Sequence, residues 1–225
     1  MRQIFDRYPA LPYVAPFAVF LAFLAMANNI MPGWTWEYPL RTIVTTAVLA
    51  TLSRSVISWR CSRPLGSVLL GVLVFVIWVG PDAVWPAYRE HWLLQNPLTG
   101  HVKSSIAPIL RSDMIFISFR VFGTAVTVPI IEELFWRGWL MRYLIAPDFR
   151  TIRLGSYAPL AFWATALLFA SEHGPYWDVG LVAGILYNWW MVRTGSLADC
   201  ILAHAVTNAC LAVYVLGFQE WRYWM

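Results

Sequence analysis

Val128-Pro129-Ile130-Ile131-Glu132-Glu133-Leu134-Phe135-Trp136-Arg137-Gly138-Trp139-Leu140 sets two adjacent carboxylates and a guanidinium inside an otherwise apolar run. A charged side chain at the centre of a bilayer costs roughly 2.5–3.5 kcal/mol even on insertion scales, so charges kept there point by default to function. On a helix, Glu133 and Arg137 form an i,i+4 pair with the acid on the amino-terminal side, the favoured order. Glu132 is rotated by ~100° from Glu133 and cannot point at the same partner. Arg137 can therefore neutralise Glu133 and leave Glu132 as a general base or acid.

The rest of the chain places this run in a membrane. Of 225 residues, 60% are hydrophobic and 12% charged, about half the charged share of a soluble domain. One integral membrane domain over residues 1–225 is the economical reading, with an all-α fold of seven or eight spans. Fourteen Trp and ten Tyr suit two interfacial belts. Stretches of ~20 apolar residues are expected to span near 12–30, 40–59, 65–81, 119–144, 158–177, 179–193 and 197–217, with a more amphipathic segment near 104–117. Arg2 and Arg7 before the apolar run from Leu11 to Ala27 fit a signal peptide or a first span, and a retained span is expected.

Basic residues fall in short loops, so they read as topology signals and not as a nucleic-acid patch. Arg2, Arg7, Arg60, Arg63, Arg142, Arg150, Arg153 and Arg193 mark one side. This predicts a cytoplasmic amino terminus and an external carboxyl terminus. Cys61, Cys200 and Cys210 are too few and scattered for a disulfide framework or a cysteine-rich zinc site.

Two more polar clusters lie in apolar segments. One is Phe169-Ala-Ser-Glu-His173, with Glu172 beside His173. The other is His204-Ala-Val-Thr-Asn208, whose i,i+4 spacing puts imidazole and carboxamide on one face, with Cys200 a turn earlier. Each has a bland reading alone: a structural clamp, an interfacial histidine, or interhelical hydrogen-bond glue. Held together, two of only four histidines fall on helices that follow a double glutamate. A functional cluster is the simpler account.

Glu132-Glu133 with Arg137 (EExxxR), Phe169 to His173 (FxxxH) and His204 to Asn208 (HxxxN), in that order, resemble the CPBP (Abi) intramembrane protease family, which includes the type II CAAX prenyl endopeptidases. The resemblance covers residues 115–215; residues 1–114 read only as generic membrane helices and a loop. The start, Tyr8-Pro-Ala-Leu-Pro-Tyr-Val-Ala-Pro-Phe17, resembles CAAX-protease-related proteins found with bacterial exosortase systems. The resemblance implies that Glu132 and His173 activate a water and that His204 and Asn208 hold the oxyanion. Glu133, Arg137 and Phe169 would support them, with no cofactor. It implies a membrane-associated protein or peptide as substrate, cleaved at the bilayer, and a multi-pass place in a bacterial inner membrane.

The residues leave rivals open. Glu132, His173 and His204 are also a three-ligand set for catalytic zinc, although no HExxH pattern is present. Cys200, His204 and Asn208 have the types of a Cys-His-Asn set, but three residues stacked on one straight helix seldom meet around one carbonyl. A transporter would show a repeat or matched broken helices, and none is visible. A binding or immunity protein with the same fold but no cleavage remains the non-enzyme rival. Depth is the geometric difficulty: counted from the start of each span, the site residues lie at unequal heights.

Overall fold

A computed structural model describes residues 2–29 and 34–224. Among these residues the chain is all-helical, with eight helices and no β-strand. A short helix α1 (Arg2–Arg7) precedes α2 (Leu11–Asn29). Next come α3 (Glu37–Val48, prolonged by a π-helical turn Leu49–Ser53) and α4 (Pro64–Val84). A long loop leads to α5 (Met114–Tyr143), followed by α6 (Pro159–Ser171), α7 (Trp177–Thr194) and α8 (Leu197–Phe218).

Every apolar segment expected to span holds one of these helices; the expected end of the first, at residue 30, lies outside the described residues. Helices α4, α5 and α8 are long and apolar enough to cross a bilayer, while Leu11–Ala27 and Pro159–Ser171 are apolar but shorter. The amphipathic segment near 104–117 is not a separate helix. Residues 108–112 form a 3-10 turn, and Asp113 caps α5 by accepting from the N–H groups of Ile115 (2.9 Å) and Phe116 (3.1 Å). That cap satisfies amide donors a helix start leaves orphaned, so α5 begins five residues earlier than hydropathy suggested.

Helix α5 is not regular. π-Helical stretches at Gly123–Thr127 and Leu134–Leu140 flank the α-helical Val128–Glu133. Pro129 supplies a local cause for the first, because it has no N–H to give to a carbonyl in the preceding turn. Such wide turns re-aim the side chains that follow and recur at functional sites.

Two contacts fix α4 against α8. At Gly71 an added Cβ would lie 2.4 Å from the carbonyl oxygen of Ala203, so only glycine permits this approach. At one end of the pair, the Asp199 carboxylate accepts from Ser62 N (2.6 Å), Ser62 Oγ (2.9 Å), Arg63 N (2.9 Å) and Ser67 Oγ (2.8 Å). A side chain of α8 thus serves the amide groups at the start of α4, the service an N-cap normally gives from within. At the opposite end, Arg89 bridges Asp82 (3.1 Å) and Asp178, and Tyr223 donates to Asp82 (2.9 Å). This ties the long loop and the 219–224 turn to the start of α7.

Candidate active site

Between α2, α5, α7 and α8 lies a cavity of about 280 Å³. Its wall includes Glu132, His173, His204 and Asn208 together with Phe169, Glu172, Tyr187 and Thr207. All four residues singled out for chemistry therefore face one space. The depth difficulty comes from counting along helices that run in opposite directions. Measured from the shared Tyr143/Pro159/Leu197 end at 1.5 Å per residue, Glu132 and Asn208 both lie ~17 Å deep, Phe169 ~15 Å and His204 ~10 Å. His173 follows the end of α6, where a 3-10 turn (Gly174–Tyr176) folds the chain back.

Arg137 organises one side. Its guanidinium is fully buried; Nη1 donates to Glu133 Oε1 (2.9 Å), Nε to Asn188 Oδ1 (2.9 Å) and Nη2 to the Gly184 carbonyl (3.3 Å). It also lies over the Phe169 ring at 4.6 Å, a cation–π contact that strengthens once water is excluded. Asn188 is held in turn by donating Nδ2 to the Phe162 carbonyl (2.8 Å). One arginine on α5 thus cross-links α6 and α7.

Glu133 has a second partner that helical spacing did not reveal: His204 Nδ1 donates to the same Oε1 at 3.0 Å. The bond turns His204 Nε2 toward Glu132, 4.0 Å from its Oε2. Tyr187 stacks on the imidazole (centroids 5.1 Å, 24°) and donates to Thr207 Oγ1 (2.8 Å). The two glutamates thus occupy different settings. Each leaves a buried Oε2 with no hydrogen-bond partner among the described residues, but Glu133 Oε1 is shared by a guanidinium and an imidazole, whereas Glu132 has no arginine bonded to it.

His173 is oriented by the last turn of α6, which it follows. Nδ1 donates to the Phe169 carbonyl (2.7 Å), which leaves Nε2 as the acceptor nitrogen of the neutral ring. The ring packs edge-on against Trp78 (5.2 Å) and at a tilt against Phe169 (4.7 Å). Across the cavity, Asn208 Nδ2 donates to the Thr124 carbonyl (2.8 Å) in the first π-helical stretch. Thr124 lies five residues before Pro129, whose missing N–H leaves that carbonyl to the carboxamide. The second Nδ2 hydrogen remains for another acceptor. Glu172, beside His173, accepts from Trp136 Nε1 (3.1 Å) and adds a second carboxylate to the wall.

Other candidates separate from this group. Cys200 is buried with its thiol toward the Tyr187 carbonyl (3.7 Å) and Met191 Sδ (3.8 Å), and it does not line the cavity. The stripe it shares with His204 and Asn208 on paper diverges in space. Among the described residues, no three His, Cys, Asp or Glu side chains are grouped to hold a metal ion. His204 Nδ1 is taken up by Glu133, and Nε2 remains its free ring nitrogen. Sequence reasoning missed Tyr187, Asn188 and Thr207; polar residues inside the apolar runs of α7 and α8 were the available signal.

The fold and cavity define an integral membrane helical protein with a buried carboxylate–histidine–carboxamide centre. Residues 114–210 match the family model described as Rce1-like, type II CAAX prenyl endopeptidase Rce1-like. This bears out the resemblance to the CPBP/CAAX protease family, a family of intramembrane proteases, over that segment; the match does not extend to the exosortase-associated subgroup. No curated protein and no solved structure matches the chain.

Proposed function

We propose that the protein is a multi-pass intramembrane endopeptidase that hydrolyses a peptide bond of a membrane-associated protein or peptide through a water activated by Glu132 and His173. The observation that carries this reading is that Glu132, with a buried Oε2 lacking a hydrogen-bond partner among the described residues, lines one cavity with His173, His204 and Asn208, whereas Glu133 does not line it. Such an oxygen is costly to bury without a hydrogen-bond donor, and a water supplies one.

Glu132 takes one proton from the water while His173 Nε2 accepts a hydrogen bond from the other hydrogen, which stays on the oxygen, and fixes the lone pair toward the substrate carbonyl carbon. The oxygen adds, and the carbonyl oxygen becomes an oxyanion. The free Nδ2 hydrogen of Asn208 and the His204 imidazole, held in place by its bond to Glu133, donate to it. Glu132 then passes its proton to the leaving nitrogen as the C–N bond breaks. Donors already in place when charge develops contribute roughly 3–4 kcal/mol each in comparable sites. The family match supports proteolysis near a membrane and does not require a prenylated substrate. We place the Tyr143/Pro159/Leu197 end on the cytoplasmic side of a bacterial inner membrane, following the arginine distribution.

The test is Glu132→Gln in proteoliposomes presented with a library of membrane-anchored peptides. Lost cleavage with retained peptide binding supports the protease; unchanged cleavage overturns the assignment of the base. If wild type captures a peptide but releases no fragment, the binding-protein reading replaces it.

A further inference from the structure

A second pocket lies far from the candidate active site, at the junction of the α5–α6 loop with the end of α7. It encloses about 260 Å³ and is lined by Arg153, Leu154, Gly155, Ser156, Val192, Arg193, Thr194 and Gly195. We propose that this pocket binds the phosphate of an anionic phospholipid, with Arg153 and Arg193 as the charged clamp and the Ser156 hydroxyl as a further donor.

Both arginines are exposed, and among the described residues neither has an ion-pair partner. Two acids near this end, Asp148 and Asp199, are committed elsewhere. Asp148 pairs with Arg150 (3.1 Å), and Asp199 is occupied by Ser62, Arg63 and Ser67. Two guanidiniums lining one polar pocket offer an anion paired positive charge, and their planar forks match phosphate oxygens.

The floor of the pocket is rigid. Gly155 (φ 80°) and Gly195 (φ 61°) both take left-handed turns, and a Cβ on Gly155 would lie 2.6 Å from the Met191 carbonyl and 3.0 Å from Gly195 Cα. The end of a helix ordinarily disfavours an anion. Here the Thr194 hydroxyl donates to the Trp190 carbonyl (2.8 Å) and Gly195 N to the Met191 carbonyl (2.8 Å), which blunts that effect. Arg193 has an ordinary role in offsetting the α7 dipole, but Arg153, on a loop, does not.

The surroundings select a lipid over free phosphate. Trp189 lies one turn before Arg193 on the same face of α7 and is 47% exposed; Leu160 and Trp163 at the start of α6 are 72% and 50% exposed. A headgroup held by the arginines therefore has apolar surface beneath it for its acyl chains, with tryptophan at interface depth.

The experiment is native mass spectrometry of the detergent-solubilised full chain, titrated with phosphatidylglycerol, phosphatidylcholine or inorganic phosphate. The account expects a retained 1:1 phosphatidylglycerol adduct that Arg153→Gln/Arg193→Gln weakens about 30-fold, as two near-surface charges imply. Arg153→Lys/Arg193→Lys should recover only part, since charge is kept and the fork is lost. Equal retention of the two lipids, or no change in the Gln double variant at wild-type thermal stability, overturns the site. Displacement of phosphatidylglycerol by submillimolar phosphate overturns the lipid as its ligand. If the Gln variant fails to fold, Ser156→Ala, expected to weaken the adduct several-fold, decides the case, and unaltered binding there counts against the site.

Discussion

Replacing Arg137 by Gln tests the polar core of the bundle. The guanidinium makes three hydrogen bonds, to Glu133, Asn188 and Gly184, and lies over Phe169, all without contact with solvent. Removing it leaves the Glu133 carboxylate buried with the His204 imidazole as its remaining partner. Breaking a buried pair from one side typically costs about 3–5 kcal/mol, because an uncompensated charge is left behind. Removing both charges, in Glu133→Gln/Arg137→Gln, avoids that residue of charge and is expected to be less destabilised than Arg137→Gln by about 2 kcal/mol. Reversible unfolding in mixed lipid–detergent micelles reads both values. An Arg137→Gln cost below about 1 kcal/mol, or a double variant weaker than the single one, would refute the pairing as the organising contact.

Further outcomes follow from the same geometry. Asn208→Ala removes the proposed oxyanion donor and uncaps the Thr124 carbonyl; kcat should fall about 10²–10³-fold with little change in KM, and steady-state cleavage of an identified peptide checks it. Gly71→Ala forces a methyl group against the Ala203 carbonyl and Val206; overpacking of this kind costs about 1–3 kcal/mol, measurable in the same unfolding assay. Treatment with 1,10-phenanthroline should leave cleavage unchanged, whereas zinc-reversible loss would restore the metal-dependent alternative.

Much of the helical framework was legible because apolar run length is set by bilayer thickness, and the runs beginning near Leu11, Pro64 and Leu197 appear as helices. The Glu133–Arg137 pair was legible because i,i+4 spacing is local. What spacing could not give was contact between helices. His204 on Glu133 and Asn188 on Arg137 join residues 71 and 51 positions apart. The start of α5 was misplaced because a capping Asp113 outweighs a hydropathy window. Pro129 was visible in the sequence, but its consequence, a widened turn whose free carbonyl Asn208 takes up, needed the neighbouring helix.

The central claim is that Glu132, and not Cys200 or a metal, activates the attacking water. Its most direct test is the cleavage rate of wild type, Glu132→Gln and Cys200→Ala on one peptide in proteoliposomes containing chelator. The account predicts a loss of at least about 10²-fold for Glu132→Gln, within the range for general-base removal, and wild-type rates for Cys200→Ala. Wild-type turnover by Glu132→Gln, or loss confined to Cys200→Ala, would contradict it.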